Sequence, residues 1–289
     1  MSGSRNLFAS LNAQNLSAAQ VAHGFVLTEQ FLELLTTSHS LLMGPRGSGK
    51  TAMLKMLTLP ALHSWTHPDA AQLVSHIEFA SIYVPSDIHW QRQLAHFDSE
   101  FADCPGLREI ISSAVITTNT LSAVCDSMSG RAALEFSFAW IPEVEAELCA
   151  KLTSAWLLPP STSISEVVLF LQSRIGEIEQ VIKRAISAGY TDDDLGDLPE
   201  YFYLDYLTSI TMACNSFDAI FSSTKRWAIC FDNVDSAPSW LQKRLLAEIR
   251  NSGSPLIFKL SASPASDFLK DTVARPEADY HIIRLQHHD

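Results

Sequence analysis

Eight consecutive residues, Gly44-Pro45-Arg46-Gly47-Ser48-Gly49-Lys50-Thr51, have the types and spacing to hold a phosphate group. They fit the pattern G-x-x-x-x-G-K-[ST]. Glycine tolerates backbone angles that turn several N–H groups inward, and such a turn forms a nest of anion size. A helix starting at Lys50-Thr51-Ala52 would aim the positive end of its dipole at the same point. In that arrangement the Lys50 ammonium reaches the β- and γ-phosphates of a nucleotide, and the Thr51 hydroxyl ligates Mg²⁺.

A phosphate-gripping loop does no chemistry alone. It needs a carboxylate at the end of a neighbouring strand to hold the metal through water. Ala228-Ile229-Cys230-Phe231 followed by Asp232 supplies one. In many enzymes with such a loop, a glutamate directly follows this aspartate and positions the attacking water. Asn233 stands in that place. Asparagine orients a water but cannot take its proton, and Asp235 is the nearest carboxylate, so either residue is a candidate. Ser261-Ala262-Ser263 ends the next strand. Ser261 is the first candidate, and Ser263 the second, for a contact with the γ-phosphate. A hydroxyl at a strand end also commonly bonds backbone. Arg275 precedes the last strand and is a candidate to reach a neighbouring subunit's phosphate. His63 and His67, four apart, would share one helix face, a zinc pattern that lacks a third ligand.

The elements around these residues follow from apolar patterning. Ser40 to Met43, Ile77 to Val84, Trp227 to Phe231, Leu256 to Ser261 and Tyr280 to Leu285 are short apolar runs that read as strands. Ala52 to Leu57 and Pro238 to Arg250 read as helices, the second with Ser236 as its cap. Residues 16–22 and 29–35 form two shorter helices, with Ser17 and Thr28 as N-caps, and Ala265 to Asp271 another. From residue 98 to 226 helical patterns take over: Leu107 to Thr117, Val144 to Leu158, Ile164 to Ser187 and Leu204 to Phe221. In the third, Ile164, Val168, Leu171, Ile175, Ile178 and Val181-Ile182 make a heptad seam. A projecting helical hairpin and packing against the sheet both produce it. Thr191 to Asp197 reads as a solvated acidic turn, and Tyr201-Phe202-Tyr203 with Tyr206 as core or interface aromatics. The expected organisation is three segments: 1–97, the first part of an α/β core; 98–226, a helical insertion; and 227–289, the rest of the core.

The 289 residues, 47% hydrophobic, suffice for a sizeable core. No apolar run reaches the roughly 18 residues that span a membrane, and the first residues lack a signal-peptide pattern. Five scattered cysteines without C-x-x-C fit buried thiols in a reducing cytoplasm. A net charge of −12 argues for nucleotide and protein partners over bare nucleic acid, although a local basic patch would permit direct contact.

Taken together, the Gly44–Thr51 loop, Phe231-Asp232-Asn233-Val234-Asp235-Ser236-Ala237-Pro238 and Phe258-Lys259-Leu260-Ser261-Ala262-Ser263-Pro264 resemble the additional-strand P-loop ATPases of the AAA+ and STAND kind. The likeness extends to origin-recognition-type ATPases of bacterial antiphage-defence loci. It implies an α/β fold with a mostly parallel sheet and helices on both faces, ATP and Mg²⁺ as ligands, and a homo-oligomer or a protein effector as partner. It also places Phe25, Val26 and Gln30 at the adenine pocket, without the usual Gly-Arg-Glu signature. Such ATPases carry a helical lid after the last strand. Nothing follows Asp289, so the expectation is a shortened chain or a site completed by a partner. The leading function is Mg²⁺-dependent ATP binding with slow hydrolysis that drives a conformational or assembly switch. The alternative is a non-hydrolysing, nucleotide-bound scaffold whose helical insertion binds an effector. A small-molecule kinase would want an arginine-rich lid, and the insertion has few arginines.

Overall fold

A computed structural model describes residues 13, 16–85, 100–136, 141–251, 253–264 and 280–285. The expected helix Ala265 to Asp271, Arg275 and the terminal His287-His288 lie outside the described residues. The chain divides into two compact units, one of residues 1–86 with 225–289 and the other of residues 87–224.

The first unit is built on five strands: β1 (His39–Met43), β2 (Phe79–Val84), β3 (Arg226–Phe231), β4 (Leu256–Ala262) and β5 (Tyr280–Arg284). All pair in parallel, in the order β2-β3-β4-β1-β5. Every residue of β1 and β4 is buried, as is every residue of β3 except Arg226. Strands covered on both faces read as continuous apolar runs, which is why they are legible in the sequence. The exception inside β4 is Lys259. Its ammonium is fully buried and donates to the Thr36 and Ser38 carbonyls, both at 2.8 Å, and to Ser40 Oγ at 3.1 Å.

Helices α1 (Ala18–His23), α2 (Glu29–Leu34), α3 (Lys50–Met56), α4 (Leu59–His63) and α5 (Ala70–Ser75) precede β2. Phe31, Leu34, Leu54, Met56 and Leu62 from them share a core with Leu42 of β1 and Ile257 of β4. Both expected caps form. Ser17 and Gln20 make a reciprocal capping box, and Thr28 accepts the Phe31 N–H. Helix α4 ends at His63, so His63 and His67 do not share a helix face. Among the described residues no group of three or more His, Cys, Asp or Glu is placed to hold a metal.

The second unit is helical. Its main elements are α6 (Pro105–Glu135), α7 (Pro142–Ala155), α8 (Ile164–Ala188) and α9 (Tyr206–Phe221). Helix α6 runs well past Thr117, where the sequence pattern placed its end. The buried Thr118 and Thr120 hydroxyls donate to the carbonyls four residues back, which satisfies these two polar groups inside the helix. The α8 seam packs on α6 and α7, but its phase differs from the expected one. The buried positions are Ile164, Val167, Leu171, Arg174, Ile178, Ile182 and Ala185. Arg174 replaces Ile175 in the seam because its guanidinium caps the end of α7, donating to the Trp156 and Leu157 carbonyls at 2.7 and 2.5 Å. The acidic turn is likewise not merely solvated: both Asp192 carboxylate oxygens accept from the α6 N-terminus, from Gly106 N–H and Leu107 N–H. Phe202 and Tyr206 are core residues, whereas Tyr203 is half exposed.

The last helix among the described residues, α10 (Ser239–Ile249), returns to the first unit between β3 and β4. Its N-cap is Pro238, with no side-chain cap. Ser236, expected to cap it, instead donates to the Asn233 carbonyl and accepts from the Asn233 amide.

Candidate functional site

Parallel pairing brings the carboxyl ends of all five strands to one edge of the sheet, and Thr51, Asp232, Asn233, Asp235 and Ser261 meet there. The loop from Gly44 to Gly49 leaves β1 and enters α3. Gly47 and Gly49 have φ of 87° and 90°, a left-handed backbone that only glycine adopts freely. Gly44 is buried, and a Cβ there would run into Ser48 Oγ and lie 2.9 Å from Leu285 Cβ. Ser48 closes the turn by donating its hydroxyl to the Pro45 carbonyl at 2.8 Å. Arg46 is exposed, and Ala52 is partly buried in the first turn of α3.

Lys50 folds back over this loop and donates to the Gly44 and Pro45 carbonyls at 2.5 and 2.8 Å. Burial pushes its pKa below the ordinary lysine value, and the nearby charges of Asp232 and Asp235 pull it back up. The ammonium therefore sits at the loop mouth, on main-chain oxygens that a more negative ligand can outcompete.

Asp232 is 1% exposed, yet its carboxylate meets three hydroxyls. Thr51 donates to Oδ2 at 2.8 Å, Tyr83 donates to the same oxygen at 3.2 Å, and Ser261 donates to Oδ1 at 2.7 Å. Thr51 and Asp232 are thus adjacent, as the metal assignment requires. Hydroxyl and carboxylate oxygens are hard donors suited to Mg²⁺, which takes few protein ligands and completes its shell with phosphate and water.

The sequence reading needs correction at two points. The Asp232 strand is not the neighbour of the loop strand, because β4 lies between β1 and β3. This inserted strand carries Ser261, and Ser261 does not face outward toward a phosphate. It is fully buried, donates to Asp232 and accepts the Asn233 N–H at 2.7 Å. Its hydroxyl orients the Asp232–Asn233 turn.

Asn233 adopts φ 53°, ψ 58°. Asparagine enters this left-handed region more readily than glutamate does, and its side-chain amide is held by Ser236. Asp235 takes the Ser263 N–H on Oδ2 at 2.6 Å. Its Oδ1 is buried and has no hydrogen-bond partner among the described residues. Ser263 therefore meets Asp235 through its main chain. Phe25 and Val26 lie on the segment before α2. Phe25 packs edge-on against Phe31, with centroids 4.6 Å apart, and Trp65, whereas Val26 is 74% exposed. Gln30 is partly buried in α2.

Tyr83 and Lys55 are the site residues the sequence reading missed. Tyr83 is the penultimate residue of β2, and nothing in the sequence says that β2 lies beside β3. Lys55 of α3 lies 5.6 Å from the Tyr83 ring centroid.

A family model described as ORC-CDC6-like matches residues 6–289. The chain belongs to the ORC-CDC6-like family. The parallel sheet with β4 inserted between the loop strand and the Asp232 strand agrees with an origin-recognition-type AAA+ P-loop ATPase. ORC-CDC6-like membership carries a nucleotide-binding role. No curated protein and no solved structure matches the chain. No described helix is long and apolar enough to cross a membrane.

Proposed function

We propose that this chain is an Mg²⁺-dependent, ATP-binding P-loop ATPase that hydrolyses slowly and acts as a conformational or assembly switch. The observation that carries the reading is the Thr51–Asp232 hydrogen bond of 2.8 Å at the mouth of the Gly44–Thr51 loop. Gly44 to Ala52 surround the phosphates, with Lys50 as their charge partner. Thr51 and Asp232 hold the metal, and Phe25 and Val26 border the base. The free Oδ1 of Asp235 favours this carboxylate over Asn233 as the acceptor that orients water. Arg275 is kept as a candidate contact to a neighbouring subunit's nucleotide. The helical segment 98–226 is the part proposed to meet a protein effector. The likeness to origin-recognition-type ATPases of antiphage loci is the ground for placing the switch in a bacterial defence system. The five free thiols fit a reducing, cytoplasmic setting.

The second reading, a nucleotide-bound scaffold without turnover, is favoured by one observation. Asn233 occupies the place of the glutamate base and is locked there by Ser236 and by its own left-handed backbone. Calorimetric titration with ATP, with and without Mg²⁺, followed by single-turnover phosphate release, separates the two. Tight Mg²⁺-dependent binding with slow release supports the switch. Binding without release selects the scaffold, and no binding in Mg²⁺ rejects both.

A further inference from the structure

Three hydroxyls converge on Asp232, and they are held in different ways. Thr51 belongs to the phosphate loop, and its oxygen is the one a metal ion would recruit. Ser261 and Tyr83 belong to the flanking strands β4 and β2. Tyr83 lies opposite Cys230 in the β2–β3 register, one residue before Val84, whose carbonyl accepts the Asp232 N–H at 3.1 Å. The strand that fixes the Asp232 backbone therefore also carries the phenol that fixes its carboxylate. An ionised carboxylate accepts only, so the phenol is the donor. The ring is backed by the Lys55 ammonium, which is tied to the Ala13 and Leu16 carbonyls at 2.8 and 2.9 Å.

We propose that Tyr83 is a positioning residue that sets the affinity of the Asp232–Thr51 pair for Mg²⁺. The inference rests on the nucleotide-binding reading above. A metal ion would take a lone pair of the Thr51 hydroxyl oxygen, whose proton can still be donated to Oδ2. Tyr83 would be the second donor on that oxygen, with Ser261 on the other. Held from both sides, the carboxylate keeps its orientation toward metal-bound water without reorganising. Partners of this kind commonly change metal affinity about 10- to 100-fold when removed. A tyrosine that merely filled space would have no such effect.

The test is an MgCl₂ titration of fluorescent ATP-analogue binding to the full chain, with the analogue's affinity in EDTA measured in parallel. Tyr83→Phe is expected to raise the Mg²⁺ midpoint about tenfold or more and to leave the EDTA affinity unchanged. Asp232→Ala serves as the reference. If Asp232→Ala shifts the midpoint and Tyr83→Phe does not, the role of Tyr83 is overturned while the metal assignment stands. If neither shifts it, the metal assignment fails and takes the inference with it. A Tyr83→Phe variant that weakens binding equally in EDTA and in Mg²⁺ shows a structural role only and also overturns the inference.

Discussion

Thr51 and Asp232 are 181 positions apart in sequence, and the hydroxyl of one donates to the carboxylate of the other at 2.8 Å. The contact joins the first turn of α3 to the end of β3 across an intervening strand. Replacing Thr51 with valine keeps the shape and removes the oxygen. Nucleotide affinity in Mg²⁺ should fall at least about tenfold, as expected for loss of a metal ligand or its close partner. Affinity in EDTA should change little. Calorimetry under both conditions checks this, and equal losses in the two would argue that Thr51 only supports the loop.

Lys50 offers a second check. In the ligand-free chain its ammonium is occupied by two loop carbonyls, so its removal should not unfold the protein. Toward a triphosphate it supplies charge-assisted bonds worth roughly 1.5–3 kcal/mol each. Lys50→Ala should therefore weaken ATP binding about 10- to 150-fold, with the thermal midpoint of the ligand-free chain nearly unchanged. Retention of full affinity would contradict the phosphate assignment.

The backbone at Asn233 makes substitutions there informative in two ways. At φ 53°, glycine should be tolerated without loss, whereas glutamate should lower stability by about 1 kcal/mol through left-handed strain. If the missing base is what slows the chemistry, Asn233→Glu should nonetheless raise single-turnover hydrolysis at least about tenfold, the low end of what a positioned base supplies. Denaturant melts and phosphate release measure the two effects separately. A variant that loses stability and gains no rate would return attention to Asp235.

Lys259 predicts a pH dependence of folding. Burial lowers its pKa to about 7, with the buried Cys230 thiol beside it acting in the opposite direction. Its three donors meet the Thr36 and Ser38 carbonyls and Ser40 Oγ, and the ammonium lies over the Phe79 ring. The folded pKa is below the unfolded one, so between about 7 and 10 the unfolded chain binds more protons. Stability from this group is then lowest below pH 7 and rises with pH, by at most about 1.4 kcal/mol per pH unit. Urea melts of the wild type and Lys259→Met at pH 6.5 and 9 should show the wild type gaining on the variant at the higher pH. An unchanged difference would mean that the ammonium stays charged in the fold.

Much of this molecule is written locally. The phosphate loop lies in eight contiguous residues, because a nest of N–H groups needs only a short run of permissive backbone. The Ser17 and Thr28 caps, the five strands and the existence of the four long helices were legible for the same reason: capping and apolar burial act over a few neighbouring positions. Three features were not legible. The sequence does not say that β4 separates β1 from β3, because strands buried on both faces lose the alternation that would orient them. The inward turn of Ser261 toward Asp232 follows from that strand order and so could not be read before it. Nor does any local signal pair Tyr83 with Asp232 or Asp192 with the start of α6, since contacts between distant segments are chosen by packing. Residue types along the chain determined which groups could hold a phosphate and a metal; only the tertiary structure decided which hydroxyls surround the carboxylate, because that choice is made by strand adjacency.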